Sequence, residues 1–151
     1  MNSRELPQRL KVLAVDHGDS RIGLAVCDEL QMFAHPLTTI ENKGYAKASV
    51  EVLNIALVEG ASTIVIGLPL QLDGSAGEQA KKVEKFYKKL QSAINEAGAD
   101  IRLEVWDERM SSAHAERIVA GTKLKGKARH GAVDRVAAAL ILEAYLASLK
   151  R

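Results

Sequence analysis

The segment TIVIGLP, residues 63–69, is apolar throughout and is closed by Gly67 and Pro69. A run that short and that uniformly apolar reads as a strand buried on both faces, since a strand with one wet face alternates instead. Helical patterns flank it. From Tyr45 to Glu59, Val50, Leu53, Ile55, Leu57 and Val58 recur at helical spacing, with Gly60 as the stop. Ser75 to Ala97 reads as a long helix with two unlike faces. Its apolar face carries Ala80, Val83, Phe86, Tyr87, Leu90 and Ile94, and its basic face carries Lys81, Lys82, Lys85, Lys88 and Lys89. A strand, a helix and a fully apolar strand in succession predict a right-handed parallel crossover.

Upstream, residues 11–18 (KVLAVDHG) and 21–28 (RIGLAVCD) are short runs rich in valine and leucine, with Gly18-Asp19 between them. This spacing predicts a hairpin in which glycine supplies a positive φ. FAHPLTTI follows as a third strand, and Pro36 makes it an edge strand because proline cannot donate to a sheet ladder. Residues 101–108 (IRLEVWDE) alternate as a strand with unequal faces. Ser111 or Ser112 is expected to cap a helix running to about Ala120, ahead of the glycine- and lysine-rich stretch GTKLKGKARHG. AVDRVAAALILEAYLASLK then forms a final apolar helix. The order βββαβαβαα predicts a single α/β domain over residues 1–151.

Composition narrows the class. An apolar fraction of 47% and a charged fraction of 26% are those of an ordinary globular protein. No apolar run is long enough to span a bilayer, and MNSRELPQRL lacks the apolar centre of a secretory signal. With Cys27 as its one cysteine the chain forms no internal disulfide, which fits a cytoplasmic location. His17, His35, His114 and His130 are scattered without zinc spacing, and neither GxGxxG nor a P-loop is present. Net charge is only +2, but Lys123, Lys125, Lys127, Arg129 and Arg135 cluster with only Asp134 opposing them. That segment is either a solvated loop or a phosphate-contacting one. The stretch GLPLQLDGSAG, residues 67–77, either presents backbone N–H groups to a phosphate or simply connects.

The acids carry the chemistry. Metal-dependent phosphoryl transfer needs several carboxylates converging on one or two hard cations. Asp16 ends the first strand, Asp107-Glu108 ends the fifth, and Asp134 enters the last helix beside the basic loop. If strands one, four and five are parallel neighbours, the ends bearing Asp16, Pro69 and Asp107-Glu108 share one edge. Each acid also has a structural account: a turn for Asp16, an ion-pair cluster for Asp107-Glu108-Arg109, and a helix's first turn for Asp134. Three such accounts in one fold are less probable together than separately.

AVDHGDSRIGLAVCD, IVIGLPLQLDGSAG, VWDERMSSAHA and KARHGAVDRVAAALILEAYL, taken in order, resemble the successive motifs of the YqgF/RuvX family from about Lys11 to Leu146. The resemblance implies a ribonuclease H-like fold with a five-stranded mixed sheet of order 3-2-1-4-5 and helices on both faces. It implies a cytoplasmic nuclease that matures the 5′ end of the precursor of small-subunit ribosomal RNA. By the same likeness Asp16, Glu108 and Asp134 are the catalytic, metal-holding acids, with Asp107 sharing or replacing the role of Glu108. Arg21 and Gly23 match the family's RIG segment, and Gly67, Pro69 and Gly74 its GLP loop. His17 departs from the family pattern, and no role is assigned to it.

The expected cofactor is therefore Mg²⁺ or Mn²⁺, as one or two ions on Asp16, Asp107, Glu108 and Asp134. Arg21, Lys125, Lys127 and Arg129 are expected to contact the substrate, structured RNA or branched DNA. The protein would act as a monomer or homodimer. Three other readings are kept: a Holliday-junction resolvase, a non-catalytic RNA-binding assembly factor, and a nucleotide-binding kinase lobe of the same superfamily, for which a chain of this length has room for one lobe only.

Overall fold

A computed structural model describes residues 11–71, 73–108 and 111–150. The chain runs β1 (Lys11–His17), β2 (Arg21–Cys27), β3 (Ala34–Glu41), α1 (Tyr45–Glu59), β4 (Ala61–Leu68), α2 (Glu78–Ala97), β5 (Arg102–Asp107), α3 (Ser111–Ala120) and α4 (Gly126–Leu149). The element order matches the expectation from sequence. The strands form one mixed sheet of order β3-β2-β1-β4-β5. β1 pairs antiparallel with β2, and β2 with β3, while β4 lies parallel between β1 and β5.

Alternation along β1 and β4 feeds two cores. Leu13, Val15, Ile64 and Ile66 pack with Val52, Leu53, Phe86 and Leu90 of α1 and α2. Val12, Ala14 and Val65 face the other way, onto Ala138, Ile141, Leu142 and Tyr145 of α4. Both faces of the central strands are dry, which is why β4 reads as continuously apolar. Each such buried aliphatic side chain contributes roughly 1.5–3 kcal/mol. α3 packs on α4 through Ala115, Val119, Val133 and Ala137.

Several boundaries depart from the sequence reading. α1 ends at Gly60, at φ 72 as a left-handed cap, but it buries Ala48, Ser49, Val52, Leu53 and Ala56, leaving Val50, Leu57 and Val58 exposed. α2 starts at Glu78 rather than Ser75, because the Ser75 N–H bonds Asp73 Oδ1 and Gly74 sits at φ 88, which holds that turn out of the helix. α4 starts at Gly126, inside the basic stretch. Lysine, alanine and arginine are good helix formers, and they extend the helix back through Lys127 and Arg129. Gly18 is not at positive φ. Its requirement is close approach: its N–H bonds the Arg21 carbonyl at 2.9 Å, and an added Cβ would lie 2.7 Å from that oxygen. The capping side chains expected at Ser111 and Ser112 lie outside the described residues.

Candidate active site

Asp16 lies in β1 directly opposite Gly23 of β2. On its other side, the pairing of Val15 with Ile66 brings Gly67 of β4 to the same level. Asp16 is therefore flanked by two glycines across the sheet, and neither space is empty. A Cβ on Gly23 would fall 2.0 Å from the backbone oxygen of Asp134 and 2.9 Å from its Cβ. A Cβ on Gly67 would fall 2.9 Å from Glu108 Oε2 and 2.5 Å from Ile141 Cδ1. The two missing side chains admit Asp134 from α4 and Glu108 from the end of β5, one on each side of Asp16. All three acids lie on the α4 face of the sheet, at the end where β1, β4 and β5 finish.

Electrostatics follow from that crowding. Burial, and then the neighbouring negative charge of Asp134, push the Asp16 carboxyl up to about 7. The Asp134 carboxylate is held by Arg21, whose Nε donates to Oδ2 at 2.7 Å. Arg21, expected to contact the substrate, thus stands beside the acids and holds Asp134. Glu108 is buried to 7% exposure and bonds its backbone N–H to the Leu68 carbonyl at 3.0 Å, which ties the β5 exit to β4. Asp107 is exposed, and strand alternation sets it with Leu103 and Val105 on the α1–α2 side. The fold groups Glu108 with Asp16 and Asp134 and leaves Asp107 apart. Arg109 lies outside the described residues.

Asp134 does not stand in the first turn of its helix, as the sequence suggested. It sits about two turns inside α4, so the helix macrodipole does not account for it. Lys125 and Lys127 are exposed at the start of α4, and Arg129 pairs with Glu116 of α3 at 3.2 Å.

The donor set is carboxylate oxygen only, which suits a hard divalent cation. The Asp16 carboxyl is raised first by burial and then by the Asp134 charge, and a bound cation would offset both. Among the described residues, no three His, Cys, Asp or Glu side chains stand close enough to form a ready-made cage. Chemically the acids fit a cation, but they are set as a row across the sheet rather than as a closed ligand shell.

His17 points to the opposite face, 6% exposed, between Tyr45 and Phe86. Asn42 accepts from the Gly44 N–H and donates to the Gly18 carbonyl, so its amide also donates to His17 Nε2 at 3.3 Å. Burial lowers the His17 pKa. It is a neutral wedge under the β1–β2 turn and takes no part among the acids. Nothing in the sequence singled out Asn42 as the brace of this turn.

The family described as "RuvX: Holliday junction resolvase" matches residues 10–148. A relative from Syntrophus aciditrophicus, named "Putative pre-16S rRNA nuclease", is 36% identical over 142 residues, covering 94% of this chain and 91% of its own. One from Crocosphaera subtropica with the same name is 37% identical over 139 residues, covering 92% and 94%. Among solved structures, Thermus thermophilus RuvC with a Holliday junction substrate aligns at a TM-score of 0.56 and 19% identity, over 93% of this chain and 96% of that one. The fowlpox virus Holliday junction resolvase aligns at 0.55 and 12%, over 92% and 99%. These likenesses in structure show a common ribonuclease H-like fold. With the family match spanning nearly the whole length and its motifs in order, the chain belongs to the RuvX family.

Proposed function

We propose that the protein is a metal-dependent endonuclease that hydrolyses phosphodiester bonds in structured RNA, acting on the 5′ end of the small-subunit ribosomal RNA precursor in the cytoplasm. The observation that carries this reading is the row of Asp134, Asp16 and Glu108, set side by side by Gly23 and Gly67. The relatives' name, pre-16S rRNA nuclease, supplies the substrate class.

In this reading Asp16, Glu108 and Asp134 hold one or two Mg²⁺ or Mn²⁺ ions. When bound, such an ion stabilises charge on the scissile phosphate and makes water a better nucleophile. The chain's own residues do the rest. Arg21 fixes the direction of the Asp134 carboxylate, and the Gly67 gap fixes that of Glu108. Burial at the sheet end limits water around Asp16 and strengthens its electrostatics. Lys125 and Lys127 hold the backbone of the substrate without reading its bases, and Arg129, braced by Glu116, sets the edge of that contact.

The test is folded Asp16→Asn beside the wild type, with Mg²⁺ or Mn²⁺, on a precursor ribosomal RNA fragment and on a four-way DNA junction. Cleavage of the RNA by the wild type and loss by at least roughly a hundredfold in the variant is the expected result. Undiminished cleavage by the variant overturns the role of Asp16. Cutting of the junction alone replaces the RNA substrate with branched DNA, and binding of RNA without cutting replaces the nuclease with an assembly factor.

A further inference from the structure

The basic face of α2 has no part in the catalytic reading. Lys81, Lys85, the adjacent Lys88 and Lys89, and Ser92 recur every three or four residues, which places them along one side of the helix. All four lysines are on the surface, opposite the buried Val83, Phe86, Leu90 and Ile94. Lys81 has a loose pair with Glu78 at 3.8 Å, whereas Lys85, Lys88 and Lys89 have no ion pair among the described residues. Glu84, four residues before Lys88, is the one acid beside these lysines on the helix, so the face is net positive and suits a polyanion.

The stripe is also joined to the acid-bearing end of the sheet. Asp19, in the β1–β2 turn, receives Lys82 Nζ at 2.9 Å and Gln79 Nε2 at 3.0 Å, which pins the start of α2 beside the end of β1. Two depressions run from there. One, about 220 Å³, is lined by His17, Asp19, Asn42, Gly44, Tyr45 and Lys82. The next, about 340 Å³, is lined by Tyr45, Lys85, Lys88, Lys89 and Ser92. Tyr45 is the wall they share, and its ring is already braced by the parallel His17 ring, 6.0 Å away at 5°. A path thus leads from the residue after Asp16, past the Tyr45 ring, onto Lys85, Lys88 and Lys89. It lies on the α1–α2 face, while Lys125, Lys127 and Arg129 lie at the start of α4, the helix that packs across the sheet.

We propose that this path is a second nucleic-acid contact, which seats a single strand of RNA leaving the scissile bond on the side away from α4, with its phosphates on Lys85, Lys88 and Lys89. The inference rests on the nuclease reading and adds to it the form of the substrate: structured RNA with a single-stranded flank. Lysines at successive turns beside one stacking ring suit a flexible strand, whose bases are free to stack while its phosphates meet the lysines. Contacts of this kind are blind to sequence and sensitive to salt.

The experiment measures binding by fluorescence anisotropy across a salt series, with Ca²⁺ replacing Mg²⁺ to suppress cleavage. The probes are an RNA hairpin carrying a single-stranded tail and the same hairpin cut blunt. The proteins are the wild type, Lys85→Gln/Lys88→Gln/Lys89→Gln and the corresponding triple arginine variant. These side chains are exposed, and melting temperatures are to be matched first. The expected result is a roughly tenfold weaker Kd of the glutamine variant for the tailed RNA, with the salt slope reduced by about 2, and recovery in the arginine variant. Blunt RNA should bind the wild type and the glutamine variant alike. Equal binding of the tailed RNA by those two proteins, or equal loss on tailed and blunt RNA, overturns the path while leaving the nuclease intact. A wild type that binds neither RNA overturns both.

Discussion

Arg21 Nε and Asp134 Oδ2 meet at 2.7 Å, joining the start of the second strand to the last helix beside Asp16. Burial first and the Asp134 charge second push the Asp16 carboxyl up, and the guanidinium pairs with that Asp134 charge. Removing it leaves the Asp134 carboxylate unanchored and the two acids facing each other unshielded. We expect Arg21→Gln to lower cleavage at neutral pH by roughly 10–100-fold, with partial recovery at higher pH as Asp16 ionises. A pH–rate profile whose acid limb moves upward checks this, and a uniform loss at every pH argues against it.

The glycines flanking Asp16 should differ in cost. Gly23→Ala drives a methyl into backbone of α4, at 2.0 Å from an oxygen that cannot move without its helix. Gly67→Ala meets the ends of two side chains, Ile141 and Glu108. We expect Gly23→Ala to destabilise by at least about 3 kcal/mol or to prevent folding, and Gly67→Ala to cost about 1–2 kcal/mol. Chemical denaturation orders the two. Gly67→Ala should nonetheless lose most cleavage, because the displaced group is the Glu108 carboxylate.

The Asp16 carboxyl has a measurable signature without substrate. Folded, it holds its proton to about pH 7, against 3.8 for the ordinary group. Between those values the folded state binds more protons than the unfolded one, so its contribution to stability is full below 3.8 and is lost as pH rises to about 7. Above that, the charged carboxylate is a net cost. Asp16→Asn should therefore stabilise the metal-free protein at pH 8 by roughly 2 kcal/mol and flatten its stability between pH 4 and 7. Added Mn²⁺ should raise the melting temperature of the wild type and not that of the variant. Thermal melts across pH, with and without Mn²⁺, read both effects.

Tyr145 offers a control away from the acids. Its hydroxyl donates to Glu104 of β5, and its ring meets Trp106 edge-on at 5.9 Å. Burial and then Glu104 push the phenol up to about 12, so it stays a donor throughout the working range. Tyr145→Phe should cost about 1 kcal/mol in denaturant melts while kcat stays unchanged.

Much of this architecture was legible before any coordinates. The uniformly apolar β4, the hairpin of β1 and β2, and Pro36 on edge strand β3 are local signals, and they led to the observed element order and sheet edge. Asp16 and the Asp107-Glu108 pair were legible as candidates for the same reason, since they fall at strand ends. What stayed hidden depends on contacts distant in sequence. Arg21 and Asp134 stand 113 residues apart, and no periodicity announces their pair. The start of α4 was hidden because glycine and lysine mimic a loop, so Asp134 was placed in a first turn it does not occupy. Asp107 and Glu108 were inseparable until the α4 face was known to hold the other acids. The lysines of α2 were visible as a basic face, but their approach to Asp19 and Tyr45 is tertiary.

The placement of Asp134 well inside α4 has a consequence for how the protein comes into being. β1 brings Asp16 early in synthesis, whereas Arg21 must wait for a partner 113 residues downstream. Because Asp134 shares its helix with Ala138, Ile141 and Leu142, which cover β1 and β4, the step that seals the second core is also the step that completes the row of acids. A nascent chain without its last helix therefore carries Asp16 and Glu108 but lacks Asp134. Closure of the second core and completion of the row of acids are one folding event.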